Sequence, residues 1–138
     1  MILGKQITVS LIPYRKNDEG TFEYYLQMRD ENAPKYANQF GLFGGSIVAG
    51  EELRTSMLRE TKEELEYIPR NPKFLDTFED ESRIFNVFTE EVERAFESEV
   101  HVREGKFGAF LTANEIHTSD TVATHVKPIV AQLEQSLS

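Results

Sequence analysis

The sequence predicts an α+β protein in which helices flank a mixed β-sheet. Three observations carry this. Short stretches rich in Val, Ile, Phe and Tyr are bounded by turn clusters, as half-buried strands are. One segment of helical periodicity, Glu51–Tyr67, interrupts them and a second closes the chain. The resulting order is strands, helix, strands, helix. With 138 residues, 39% of them hydrophobic, the chain can build one real core, and no linker, repeat or low-complexity tract divides it. Residues 1–138 are therefore read as one domain.

The elements follow in order. Lys5–Arg15 is apolar and β-rich and reads as a buried strand, and Lys16–Gly20, "KNDEG", is a turn cluster. Phe22–Arg29, "FEYYLQMR", is the next strand, so the two are expected to form a hairpin. Asp30–Asn38 contains "ENAP" and reads as an exposed loop. Gln39–Val48 suits a strand and a sharp turn, its glycines marking a close backbone approach. Glu51–Tyr67 is helical, with Leu53, Met57, Leu58 and Leu65 near one face and Glu60 and Glu64 on another. Pro69 and Pro72 stop it. Lys73–Phe78 and Arg83–Phe88 are strands around "EDES", Glu90–Glu99 is ambiguous, and Lys106–Leu111 is a strand. Thr112 caps a short turn through Ile116, and Thr124–Leu137 is helical with Pro128 in its first turn.

Composition excludes several classes of function. There is no cysteine, so disulfides, thiolate metal sites and Cys nucleophiles are ruled out, and a cytoplasmic protein is the natural expectation. No apolar run reaches membrane-spanning length, and "MILGKQITVSLIPYRK" lacks the organisation of a signal peptide. A net charge of −9 argues against a nucleic acid polymer as partner. A small phosphorylated substrate remains compatible, because bound divalent cations can supply the missing positive charge.

The chemistry concentrates on the first helix. Like charges at i, i+4 destabilise a helix by a few tenths of a kcal/mol, yet Glu60 and Glu64 stand at that spacing, with Glu63 beside them. Carboxylates grouped within one turn are hard ligands suited to Mg²⁺ or Mn²⁺, with water and substrate phosphates completing the shell. Gly44 and Gly45 allow backbone to reach a metal or a phosphate. Glu51 and Arg59 are two turns apart on one face, so Arg59 can orient a carboxylate while Glu51 holds Arg59. Taken alone, "KEELE" describes a solvated helix face more often than a metal site.

At these residues the chain resembles the Nudix family, whose box is G-x5-E-x7-R-E-U-x-E-E-x-G-U, with U a bulky apolar residue. Here it reads Gly45, Glu51, Arg59, Glu60, Glu63 and Glu64 at the required spacing. Thr61 stands where an apolar residue is usual, Glu66 where a helix-ending glycine is usual, and Tyr67 at the last apolar position. Lacking that glycine, the helix is expected to run on towards Pro69. "NQFGLFGG" is similar to the segment before the box, with Phe43 where proline is common. "EGKFGAFLTANEI", Glu104–Ile116, is similar to the late segment in which many members carry an acidic residue.

The resemblance implies an α/β/α sandwich and hydrolysis of a nucleoside diphosphate linked to another moiety, water attacking phosphorus with one to three divalent cations. It implies Glu60 and Glu64 as metal ligands, Glu63 as ligand or base, and the Gly44 carbonyl as a further donor, with Arg59 and Glu51 in support. Glu104 is the candidate general base, against a plain loop acid; Asp80, Glu81, Glu90 and Glu91 are weaker candidates. The partner implied is a small nucleotide-derivative substrate, and a homodimer is common among similar proteins. Two alternatives are a nucleoside triphosphate pyrophosphohydrolase that clears oxidised nucleotides and a non-catalytic nucleotide sensor. His101, His117 and His125 are read as surface residues, and Tyr24, Phe40, Phe85 and Phe110 as core rather than base-stacking residues. Arg15 and Arg29 are read either as phosphate contacts or as strand-end caps.

Overall fold

Residues 4–138 are described by a computed structural model. Strand β1 (Gln6–Lys16) holds six consecutive buried residues, Thr8–Pro13, because both of its faces are covered. Along one edge it pairs in parallel with β6 (Arg83–Glu91), from Gln6↔Arg83 to Tyr14↔Glu91. Along the other edge it meets two partners in succession. β2 (Phe22–Met28) pairs with Tyr14–Lys16 alone, and β4 (Phe43–Ser46) takes over from Leu11 back to Thr8. The hairpin expected from the sequence is therefore only three residues deep.

Beyond it β1 and β2 part, and Phe40–Ser46 fills the gap. Strand β3 (Phe40–Gly41) bonds to β2 and β4 bonds to β1. The far edge of β2 carries β7 (Phe107–Thr112), and β5 (Lys73–Glu79) forms the edge beyond β6. The result is a mixed seven-stranded sheet.

Helices cover both faces. On one, α1 (Leu53–Leu65) sets Met57 against Val9, Leu11 and Phe88. On the other, α3 (Ala113–Thr118) and α4 (Val126–Leu137) pack on Ile12, Tyr24, Leu26, Phe85 and Val87. Val126, Ile129, Val130 and Leu133 recur at i, i+3, i+4, i+7 and are all but fully buried. Each is worth about 1.5–3 kcal/mol against leaving it in water. A third cluster, Tyr25, Phe43, Leu65, Tyr67, Phe96 and Val100, docks the short helix α2 (Phe96–Glu99) beside the end of α1. The sequence leaves Glu90–Glu99 ambiguous; it divides into the end of β6, a turn and α2. Thr112 caps α3 through a full capping box with Glu115. Among the described residues, no helix is long and apolar enough to cross a membrane.

The expected run-on of α1 towards Pro69 does not occur. The helix stops at Leu65 because Glu66 adopts the left-handed conformation (φ 52°, ψ 41°), its amide donating to the Lys62 carbonyl. A glutamate thus does what the usual glycine does, with the steric cost that a Cβ brings there. It gains an exposed ion pair with Arg103, worth little. Thr61, at the other departure, is buried and spends its hydroxyl on the Met57 sulfur. Tyr67 is buried too, and its hydroxyl donates to Glu90 at 2.5 Å.

Glu66→Gly should therefore raise stability by about 1 kcal/mol, since relief of left-handed strain outweighs the lost surface ion pair. Urea unfolding of the two proteins measures it; an equal or lower midpoint would show that the Arg103 contact matters more.

Candidate active site

The site is built where β1 and β2 separate. Gly44 sits so tightly on β1 that an added Cβ would lie 2.1 Å from the Val9 carbonyl oxygen and 2.7 Å from Ser10 Oγ. At Gly45 the same atom would lie 2.5 Å from the Glu60 carboxyl carbon. The two glycines thus bring β4 flat against β1 on one side and against the acidic helix on the other.

Arg59 is the hub of the helix side. Its Nε and Nη2 donate to the two Glu51 carboxylate oxygens at 3.1 and 3.0 Å, its Nη1 donates to Glu60 at 3.0 Å, and Glu63 stands 3.6 Å away. Glu51 is fixed in turn by Ser56 Oγ–H at 2.7 Å and the Val48 amide at 3.3 Å. Paired with the guanidinium and the Ser56 hydroxyl, the Glu51 carboxyl is pulled down to about 2. Arg59 is raised in return, first by Glu51 and then by Glu60. The chain from Glu51 through Arg59 to Glu60 sets the position of the Glu60 carboxylate against Gly45.

Glu64 is the unusual member. It is only 3% exposed, on the buried side of α1, and its Oε1 has no hydrogen-bond partner. Burial, a hydrogen bond and charge from Glu104, and the charge of Glu60 push its carboxyl up to about 10, against one backbone bond from Gly44. A buried acid with an unmet oxygen beside two other acids is an arrangement that a cation would relieve.

Glu104 reaches this point because the chain from His101 to Glu104 runs along the end of α1. The amides of His101 and Arg103 donate to the carbonyls of Leu65 and Glu64 at 2.9 and 2.7 Å. Gln27 Nε2 holds the Glu104 carbonyl at 2.8 Å, and Gly105 (φ +80°) turns the chain into β7. Glu104 thus stands against Glu64, which also feels the charge of Glu60. Glu63 is on the outer side of the helix, its side chain 59% exposed. Among the described residues, no three His, Asp or Glu side chains already stand together as a finished metal cluster.

The weaker base candidates lie elsewhere. Glu90 is buried between the Tyr67 hydroxyl and the Asn71 amide. Asp80 caps the turn at Ser82 and Arg83, and Glu81 and Glu91 are exposed. Arg15 is tied to Glu23 and Glu97 over the Phe110 ring.

A cavity of about 340 Å³ extends from Gly44, Gly45 and Glu104 across Thr8 and Ser10 to Arg29, Tyr36, Arg83, Phe85 and His125. Tyr24 is core as read, but Phe85 is both core and cavity wall. His125 corrects the sequence reading. It is not a surface residue: its ring stacks on Phe85 at 4.7 Å and its Nδ1 is buried without a partner. His101 and His117 are exposed as read. The Arg83–His125–Tyr36 group went unseen because strand register and a loop, rather than spacing along one helix, bring it together. An arginine opening a strand two residues before a phenylalanine was the available signal.

The model of the NUDIX domain matches residues 4–133, and the chain belongs to that family. No curated protein matches it. Similar solved structures include the NUDIX domain of Shewanella oneidensis NrtR complexed with ADP ribose, at 17% identity, covering 99% of this chain and 91% of that one, with TM-score 0.79. A MutT protein from Methanosarcina mazei Go1 shares 22% identity over 99% of both chains, with TM-score 0.72. A C. elegans Ap4A hydrolase binary complex shares 16% identity, covering 96% of this chain and 97% of that one, with TM-score 0.68. At these identities the likeness shows the shared fold: a mixed sheet flanked by helices.

The depressed Glu51 carboxyl gives a pH test. Its contribution is fully present above about pH 4.5, where the unfolded carboxyl is ionised too, and is lost as pH falls through about 2. The stability gap between wild type and Glu51→Gln, measured by urea unfolding, should narrow as pH drops from 5 to 2. A gap that is constant with pH would show that Glu51 acts through packing alone.

Proposed function

We propose that this chain is a divalent-cation-dependent pyrophosphohydrolase, a single domain over residues 1–138, acting on a nucleoside diphosphate linked to another moiety. The observation that carries the reading is Glu64, buried with an unpaired oxygen, with Glu60 and Glu104 beside it. The donor set fits a hard cation such as Mg²⁺ or Mn²⁺: all are oxygens, one of them unmet, at the mouth of a cavity that also carries Arg29 and Lys35. In this reading Glu60, Glu64, the outer Glu63 and the Gly44 carbonyl hold the cation. When bound, it neutralises charge on the diphosphate and acidifies water.

The chain's own residues supply the rest. Arg59, locked by Glu51, keeps the Glu60 carboxylate in place. Glu104 accepts the proton of the attacking water as the oxygen–phosphorus bond forms, and the bond to the leaving phosphate oxygen breaks. Glu63 is the alternative base, although its side chain faces outward in this structure. The relatives' nucleotide ligands support a small nucleotide derivative as substrate, without selecting one.

A panel of nucleoside triphosphates, nucleotide sugars, dinucleoside polyphosphates and ADP-ribose, assayed with Mg²⁺ and Mn²⁺, tests the proposal. Binding without turnover across the panel would favour the nucleotide-sensor reading, and preference for oxidised triphosphates the pool-clearing one.

Two substitutions test the assignments within it. Glu64→Gln should keep the fold and lower turnover at least ~100-fold, since it removes a charged ligand. Near wild-type turnover at saturating Mg²⁺ would defeat the assignment.

Glu104→Gln should lower turnover strongly while Mg²⁺ still raises the melting temperature, as a ligand bound only by the native state does. Unchanged turnover would return Glu104 to a loop acid, and loss of the Mg²⁺ effect would make it a metal ligand instead.

A further inference from the structure

The end of the cavity away from the glutamates has its own chemistry. Arg83 opens β6 opposite Gln6, and β1 lies between β6 and β4. Two strand spacings across the sheet and three to four residues along it, about 14–16 Å in all, therefore separate Arg83 from the glycine pair. The Arg83 guanidinium packs over two rings, Tyr36 at 5.0 Å and Phe85 at 4.6 Å. Among the described residues it forms no ion pair, although the Asp80 carboxylate is near enough to feel its charge, and its Nε and Nη2 are buried without acceptors. Those two nitrogens carry the parallel N–H pair on one edge of the group, the fork that takes two acceptors at once. Buried donors left unmet call for an explanation, and Arg83 lines a cavity.

The surroundings narrow what would meet them. Leu42 and Phe85 are apolar, and His125 is held neutral by burial and by the nearby Arg83 charge, its value lowered to about 4. Ring faces above an in-plane fork suit a flat partner, whereas a tetrahedral phosphate would use the fork and leave the rings idle. A flat partner must offer two adjacent acceptors in its own plane. Guanine does so with O6 and N7; adenine offers N7 beside an N6 donor, which faces the fork like against like. The loop that closes this end holds Tyr36 and Asn38 in the left-handed region (φ 56° and 58°), and strain of that kind gathers at ligand clamps.

We infer that the Arg83 end of the cavity is a base subsite, in which the Arg83 fork reads the O6/N7 edge of a guanine-type purine lying beside the packed rings of Tyr36, Phe85 and His125. The inference rests on the pyrophosphohydrolase reading for its orientation, with phosphates at the Gly44–Gly45 end, and it makes Arg83 a specificity-determining residue.

Nucleoside monophosphates have no anhydride to cleave, so binding can be read without turnover. Calorimetry in Mg²⁺ with GMP, 7-deaza-GMP, AMP and ribose 5-phosphate, on wild type, Arg83→Lys and Arg83→Gln, tests it. In wild type, GMP should bind roughly tenfold or more tighter than 7-deaza-GMP and AMP, as expected for one two-point contact. Both variants, checked for a native circular-dichroism spectrum, should bring GMP down to the 7-deaza-GMP level, Arg83→Lys included because it keeps the charge and loses the fork. If neither variant folds, the wild-type comparison of GMP with 7-deaza-GMP decides. Equal binding of GMP, 7-deaza-GMP and AMP would overturn the subsite. So would a matching loss for ribose 5-phosphate in the variants, which would assign the fork to a phosphate. Base discrimination without turnover on any anhydride would keep the subsite and reject the hydrolase reading; turnover without base discrimination would do the reverse.

Discussion

The structure turns on the separation of β1 from β2 after three paired residues. A strand that leaves its neighbour exposes a row of backbone donors and acceptors, which need partners when buried. Phe40–Ser46 supplies them by bonding to β2 first and β1 second. The switch between strands brings Gly44 and Gly45 under the acidic helix, leaves the sides of Thr8 and Ser10 open as a cavity floor, and puts Arg83 within reach across β1. Neither a side chain at Gly44, which would meet the Val9 carbonyl, nor one at Gly45, which would meet Glu60, is compatible with it.

The carboxylates divide into two kinds. Glu51 is satisfied three ways and its charge is welcome. Glu64 is buried, crowded by Glu104 and Glu60, and its charge is unwelcome in the protein alone. Stability is thus spent at Glu64 and recovered partly at Arg59, which draws Glu51 and Glu60 together. Sites that depart from local preference in this way are where function concentrates.

Much of the fold was legible because strands and helices impose short periods on the sequence. The apolar runs marked β1, β2, β5 and β6 to within about three residues, and Arg59, Glu60 and Glu64 are tied together by helical spacing, whereas the helix starts at Leu53 rather than Glu51, and Glu51 reaches Arg59 from the turn before it. The end of α1 was misread because left-handed geometry is signalled by glycine and Glu66 gives no such sign. Glu104 was found through family likeness; nothing local says that the chain from His101 to Glu104 will bond to the carbonyls of Leu65 and Glu64. His125 was missed because a histidine at the start of an amphipathic helix looks solvent-facing until Phe85 is known to lie beneath it. Long-range register carries no local pattern, and the far half of the cavity depends on it.

The parallel ladder between β1 and β6 also governs the order of events during synthesis. Gln6 and Arg83 are neighbours in the sheet, although most of the chain lies between them. At about 5–20 residues per second, a ribosome needs roughly 4–15 s to deliver Arg83 after Gln6. Through that interval the Thr8–Pro13 run has no partner on its β6 edge, and closing so long a loop is the slow kind of folding step. The acidic helix emerges before β6, so its like charges meet water first and the buried pocket for Glu64 only later. The cavity walls at Arg83, Phe85, Glu104 and His125 thus emerge after the strand they close over, and a nascent chain halted before β6 would display a bare, apolar strand to any chaperone near the exit tunnel.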